Sequence, residues 1–223
     1  MVFCCNPKHP YAEICGTVLS PQIVLSESNT SYFGVRFLPG YNPVLGSADI
    51  MSHLVNHRIP LDDLIQDRRM LEGICNTTDF RQQIRVFMRS YMSIYRRVCS
   101  QEHQNLLVLH SSNLMIRSAG SISIEQLAED TGYTTRYIDK CFRNETGLSP
   151  KQLAKIVRFQ SAISALNQNQ HVGRSLTEIA ADLGYFDQSH FVHDFKAYTG
   201  LTPKKYQIML RNDDFDEKLR IVQ

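Results

Sequence analysis

The sequence contains no tryptophan and no run of about 18 apolar residues, the length a membrane-crossing helix requires. It begins Met1-Val2-Phe3-Cys4-Cys5-Asn6-Pro7-Lys8-His9, which lacks the basic stretch and apolar run of a secretory signal. Its 6 cysteines, at 4, 5, 15, 75, 99 and 141, form no Cys-x-x-Cys pair, so zinc-ribbon and thioredoxin motifs are excluded. With no export signal, reduced thiols in a cytoplasm are the expectation. No Ser/His/Asp motif, Walker loop or Rossmann glycine fingerprint occurs, so neither an enzyme nor a cofactor is expected. Charge of one sign is also scarce. Lys and Arg total 24 against 22 Asp and Glu, a net +2 that neither demands nor excludes a polyanionic partner.

What remains is a chain of 223 residues, 43% hydrophobic and 21% charged, the balance of a soluble globular protein of one or two domains. Residues 1–117 and 118–212 each carry 11 basic and 9 acidic residues. The tail from Asp213 to Gln223 is acidic, with Asp213, Asp214, Asp216 and Glu217, and reads as a solvated end.

Residues 1–60 read as short strands and turns. Ile14, Thr17 to Leu19 and Ile23 to Leu25 are β-rich pieces. Tyr32 to Phe37 is the best strand, closed by Pro39-Gly40. Pro7, Pro10, Pro21, Pro43 and Pro60 punctuate the rest. Three or four such strands make only a partial, open sheet. Residues 61–105 change to helix as a linker or dimerisation segment. Leu61, Leu64 and Ile65 suggest a short helix after Pro60. Phe80, Ile84, Phe87, Met88, Tyr91, Ile94, Tyr95 and Val98 then recur every three or four residues, one stripe on a helix of about six turns. Thr77, Thr78 or Asp79 can cap it. Its other face carries Arg81, Arg85, Arg89, Arg96 and Arg97. The stripe fits packing within its own domain and equally a homodimer through residues 79–98.

Residues 106–211 contain a repeat. Ile124-Glu-Gln-Leu127-Ala128-Glu-Asp-Thr-Gly132-Tyr133 matches Leu176-Thr-Glu-Ile179-Ala180-Ala-Asp-Leu-Gly184-Tyr185 at an offset of 52. Ile138, Phe142 and Gly147-Leu148-Ser149-Pro150-Lys151 match Phe191, Phe195 and Gly200-Leu201-Thr202-Pro203-Lys204 at an offset of 53. The second copy therefore holds one extra residue just after its glycine. Each copy has the pattern of a helix-turn-helix. A first helix ends at a left-handed glycine, Gly132 or Gly184. Thr134 or Asp187 can cap the second helix, which buries Ile138 and Phe142, or Phe191 and Phe195. The faces left over are polar: Thr135, Arg136, Asp139, Lys140 and Arg143 in one copy, Gln188, Ser189, Val192, His193 and Lys196 in the other. Such faces suit a major groove. The units are expected at about 123–146 and 176–199. The helix between them, about 150–166, is on the order of 25 Å long. It can hold the two reading helices about one turn of DNA apart, roughly 34 Å.

Gly184-Tyr185-Phe186-Asp187-Gln188-Ser189-His190-Phe191, Phe195-Lys196, Gly200-Leu201-Thr202-Pro203 and Tyr206 closely resemble the AraC/XylS family of bacterial transcription regulators. Arg158 to Ala162 and Ser175 to Ala180 fit the same pattern. The resemblance spans about 100 residues. It implies an α+β chain whose helical part is a seven-helix DNA-binding domain, with Gly132, Gly184, Gly200 and Pro203 as structural positions. Phe33 to Gly40, followed by Pro60 to Leu64, resembles a segment of the larger β-barrel sensors of some members, which implies a truncated sensor region. The sequence departs from the family at His193, where arginine is common, and at Asp139, where glutamine or another neutral donor is common. A neutral histidine carries less charge, and its contribution rises as pH falls. Asp139 can accept from cytosine N4, or pair with Arg136 or Arg143.

The DNA-binding residues expected are Thr134, Thr135, Arg136, Asp139, Lys140, Arg143, Asp187, Gln188, Ser189, His193 and Lys196. Arg136 is the base reader of the first unit; Gln188 and Ser189 are those of the second. Lys204, Lys205 and Arg211 are further phosphate contacts. His190, Tyr133 and Tyr185 read as braces of the fold. His53 and His57 are a possible metal pair only if helical, and lack a third ligand; no metal is expected. The partners expected are double-stranded DNA and RNA polymerase, with no membrane and an effector that the sequence does not name. The alternatives are a cupin-like ligand or metal domain whose helices make protein contacts, and a fragment that dimerises with a longer relative.

Overall fold

A computed structural model describes residues 1–21, 28–38, 41, 53–98, 105–169 and 173–211. The expected strand Ile23 to Leu25, the Pro39-Gly40 turn, Pro43, Cys99 and the acidic tail lie outside the described residues.

The chain opens with a four-stranded antiparallel sheet, β1 (Val2–Cys5), β2 (Tyr11–Cys15), β3 (Ser31–Gly34) and β4 (Arg58–Pro60), in the order β3-β1-β2-β4. Two of these strands differ from the sequence expectation. β1 occupies the first residues, where the sequence predicts no strand, and β4 ends in a proline. Pro60 is tolerated because β4 is an edge strand, where a missing N–H disrupts no inner ladder. Thr17 to Leu19 is not a strand; it is held by Asn56, which accepts from the Leu19 amide at 2.8 Å.

One face of the sheet is apolar, with Phe3, Ala12, Ile14 and Phe33 buried. It is covered by a 3₁₀ turn at Leu61–Asp63 and by two helices, α1 (Arg69–Cys75) and α2 (Phe80–Val98), through Leu61, Met70, Leu71, Ile74, Phe87 and Ile94. Gly73 lies where α1 meets α2: a Cβ there would stand 2.9 Å from Val86 Cγ1. Asp79 caps α2, accepting from the Arg81 amide at 2.9 Å. The helix has 19 residues, about five turns where six were expected. Its apolar stripe divides. Phe87 and Ile94 are buried in this core, while Phe80, Ile84, Met88 and Met92 are exposed.

Cys5 and Cys75 form a disulfide, with Cα atoms 5.0 Å apart across 70 residues of sequence. This corrects the expectation of reduced thiols for that pair. Sheet-to-helix packing brings them together, and no sequence spacing reports it. Cys4 and Cys141 are buried free thiols, packed as small apolar groups, and Cys15 is a half-buried one.

Seven helices follow: α3 (Leu106–Arg117), α4 (Ile124–Thr131), α5 (Thr135–Thr146), α6 (Pro150–Gln168), α7 (Leu176–Asp182), α8 (Gln188–Thr199) and α9 (Pro203–Arg211). They form two cores. The first joins α3, α4, α5 and the start of α6 through Met115, Leu127, Ile138, Phe142, Leu153 and Val157. The second joins the end of α6 to α7, α8 and α9 through Phe159, Leu166, Ile179, Phe191, Phe195 and Tyr206. α6 is the shared wall of both. Its Ser149 cap, Gln152 capping box and Pro150 at N1 set its start.

Candidate nucleic-acid interface

The two units are built alike. α4 starts on a capping box, with Ser123 and Gln126 bonded in both directions. It ends at Gly132 in the left-handed conformation, φ 72°. α7 starts on the same box, Ser175 with Glu178, and runs into Gly184 at φ 72°. Thr134 then caps α5, accepting from the Tyr137 amide at 3.3 Å. Asp187 caps α8, accepting from the His190 amide at 2.7 Å. Thr134 and Asp187 thus hold helix ends and remain exposed there. Gly147 and Gly200, at φ 71° and 73°, close α5 and α8. Pro203 is buried at the start of α9.

The inner sides of α5 and α8 are fully buried at Ile138, Phe142, Phe191 and Phe195. Their outer sides are open. Thr135, Arg136, Lys140 and Arg143 are exposed on α5, and Gln188, Ser189, His193 and Lys196 on α8. Arg136 and Lys140 are four residues apart and share a face. Asp139 is half-buried and its Oδ2 accepts from Arg143 Nε at 2.7 Å. The carboxylate therefore pairs along its own helix. Gln188 Oε1 accepts from the Thr177 hydroxyl at 2.8 Å, which orients its amide from the neighbouring helix α7. Lys204 and Lys205 are exposed on the first turn of α9.

Two residues to which the sequence assigns no role, Asp194 and Arg158, organise this surface. Asp194 is 9% exposed, under α8, with Lys155 Nζ at 3.9 Å, His190 Nε2 at 3.7 Å and His193 Nδ1 at 3.9 Å. An acid between two core phenylalanines was the available signal. His190 also meets the Tyr185 ring edge-on at 5.3 Å. Arg158 on α6 donates to the Gly120 carbonyl at 2.7 Å and lies 5.3 Å over the Tyr185 ring. It thus ties the end of α3 to the turn before α8. Gly120 allows this approach: at φ 77° any Cβ would stand 2.3 Å from the Ala154 carbonyl.

The turn tyrosines differ. Tyr185 is buried, and burial with Asp194 nearby pushes its phenol well above the ordinary range, so it stays neutral. Tyr133 is not a core residue; it is exposed, stacked on Tyr137 at 5.1 Å between ring centroids. His53 and His57 do not share a helix but bracket a turn at Asn56, φ 61°. Among the described residues no group of three His, Cys, Asp or Glu is placed to hold a metal. Among them, too, no helix is long and apolar enough to cross a membrane.

The sequence pattern of the helix-turn-helix domain family matches residues 127–208. The chain is 37% identical over 84 residues to an uncharacterised helix-turn-helix-type transcriptional regulator of Haemophilus influenzae, covering 38% of this chain and 27% of that protein. It is 26% identical over 119 residues to the helix-turn-helix-type transcriptional activator AarP of Providencia stuartii, covering 53% of this chain and 83% of that one. It is 30% identical over 83 residues to the XylDLEGF operon transcriptional activator of Pseudomonas putida, covering 37% and 26%. The match spans about a quarter of the length of the Haemophilus and Pseudomonas relatives. Residues 127–208 are a helix-turn-helix domain of the AraC/XylS type, and the chain is a relative of the transcription regulators that carry one.

Proposed function

We propose that this chain is a sequence-specific DNA-binding transcription regulator that sets α5 and α8 in successive major grooves. The observation that carries the reading is the pairing of two capped helices. Both bury their apolar sides against one 19-residue helix, α6, and turn their polar sides to solvent. At 1.5 Å per residue α6 is about 28 Å long, the right scale for one turn of duplex. In this reading residues 106–211 are the DNA-binding unit, and Thr134, Thr135, Arg136, Asp139, Lys140, Arg143, Asp187, Gln188, Ser189, His193 and Lys196 form its surface. Arg136, Gln188 and Ser189 meet base edges. Lys140, Lys196, Lys204, Lys205 and the N-terminus of α9 meet phosphates. Asp139 tunes Arg143 rather than reading a base. Thr134 and Asp187 orient the helices. RNA polymerase is the protein partner through which bound DNA is turned into regulation, and the bacterial cytoplasm is the compartment.

Selection from a random DNA pool, followed by gel shifts at two salt concentrations, tests this. Two enriched blocks about one helical turn apart are expected, with affinity falling by about 0.9 logarithmic units per phosphate contact for each tenfold rise in salt. Failure to enrich any sequence at low salt overturns the reading.

The exposed half of the α2 stripe supports a homodimer. Phe80, Ile84, Met88 and Met92 form a row at i, i+4 spacing, beside an open groove of about 660 Å³ lined by Met88, Arg89, Met92, Ser93, Arg96 and Arg97. α2 carries no acid to offset its arginines. Salt should therefore strengthen self-association while it weakens DNA binding. Gel filtration across concentration and salt tests the dimer, and a monomer under all conditions removes it.

A further inference from the structure

The extra residue of the second unit has a consequence for what α8 reads. Counted from the glycines, Tyr185 corresponds to Tyr133; counted from the caps Asp187 and Thr134, it is Phe186 that corresponds to Tyr133. Tyr185 does the structural work of this turn. It is buried, its ring is 5.2 Å from Phe191, and Arg158 lies over it. It plays the part of a hydrophobic staple, fixing how the chain enters α8. Phe186 is thereby released from the core, and 93% of it is exposed.

Phe186 stands directly before the cap of α8, one turn from the exposed Gln188 and Ser189. Along the chain from 181 to 189 the other exposed residues are Ala181, Asp182, Gly184, Asp187, Gln188 and Ser189, of which only the small Ala181 carries an apolar side chain. A protein interface core needs a contiguous apolar patch, and these neighbours supply none. A phenyl ring has no hydrogen bond to give phosphate. In the major groove its one good partner is the 5-methyl group of thymine. Tyr133, at the same place before α5, is 49% exposed, so both reading helices begin behind an aromatic ring in solvent.

We propose that Phe186 is a specificity residue that packs on the methyl group of a thymine beside the base pair met by Gln188. This rests on the DNA-binding reading above and adds one base position to it. The test uses the full chain and the duplex it selects from a random pool. Each thymine of that duplex is replaced singly by deoxyuridine, which removes only the methyl. One position is expected to weaken the wild type about fourfold, the worth of one apolar carbon removed from water. F186A should bind the thymine and deoxyuridine duplexes alike at that position, and F186L should keep part of the preference. Circular dichroism checks that both variants keep the helical content. A flat scan with the wild type, or an unchanged deoxyuridine penalty in F186A, overturns the proposal while leaving DNA binding intact. If no sequence is selected at all, the DNA-binding reading fails and this one fails with it.

Discussion

The two helix-turn-helix units share their caps, their left-handed glycines and their buried aromatic anchors, yet they show solvent different chemistry. α5 presents cations: Arg136, Lys140 and Arg143, the last held by Asp139 at 2.7 Å. α8 presents hydrogen-bonding groups, Gln188, Ser189 and His193, over the nearly buried Asp194, with a single lysine, Lys196, further along. The scaffold fixes where a helix lies, and the polar face decides what it does there. On the reading proposed above the difference is a division of labour: the clustered cations of α5 supply most of the electrostatic affinity beside the one base reader Arg136, and α8 supplies mainly hydrogen-bonded discrimination.

The strongest way to break the comparison is to uncouple the units. Arg158→Ala removes the donor to the Gly120 carbonyl and the cation over Tyr185. A loss of about 2–3 kcal/mol is expected, the scale of a charged hydrogen bond plus a cation–π contact. Thermal unfolding measures it. Gel shifts on duplexes with altered block spacing should then show a weaker preference for one spacing. A variant as stable as the wild type would mean that apolar contacts along α6 suffice.

Next in size is the contrast between readers. Gln188→Ala should cost about 1–3 kcal/mol at one base position and leave the salt dependence unchanged. Lys140→Ala should instead lower the salt slope by about one phosphate contact. Gel-shift titrations at several salt concentrations separate the two effects, and equal salt slopes in both variants would refute the division of labour.

A smaller change sharpens the same contrast from the charge side. Asp139→Asn frees Arg143 from an exposed pair, which is worth about 0.2–1 kcal/mol at most to stability. It should leave the melting temperature nearly unchanged and tighten DNA binding through α5. Weaker binding would instead assign Asp139 to a base.

How much of this was legible follows from where the information lies. The helical half repeats itself, and its signals are local: Thr134 and Asp187 as caps, Gly132 and Gly184 as stops, Phe191 and Phe195 at helical spacing. The N-terminal half is assembled by contacts distant in sequence. β1 pairs with β2 in the centre of the sheet, and β4 pairs with β2 at an edge that tolerates Pro60. α1 has seven residues, no side-chain cap and a glycine in its middle, so nothing local announces it; Gly73 is there because α2 crosses at that point. The Cys5–Cys75 disulfide has the same origin. In the site, exposed side chains were readable from periodicity, whereas Arg158 acts on Gly120 and Tyr185, and Asp194 on Lys155, through packing that brings distant segments together. The stripe of α2 was legible as apolar but not as divided, because one period serves a core and a surface equally.

The smallest expected effect uses an internal control. Both first helices start on capping boxes that differ in one atom. Gln126 receives the Ser123 amide at 2.9 Å, and Glu178 receives the Ser175 amide at 2.7 Å and its hydroxyl at 2.9 Å. Those bonds hold the Glu178 carboxyl below the usual range. A lowered folded-state pKa means that the box contributes in full above the ordinary carboxylate range, and that its contribution fades as pH falls through the lower folded value. Gln126 has no proton to gain. Acidification should therefore loosen the first turn of α7 before that of α4. Glu178→Gln should remove the difference by making the second box a copy of the first. Amide hydrogen exchange at Glu178 and Gln126, followed from neutral pH into the acid range and corrected for intrinsic rates, measures it. Equal loss of protection in both boxes would show that the acid response comes from elsewhere in the two cores.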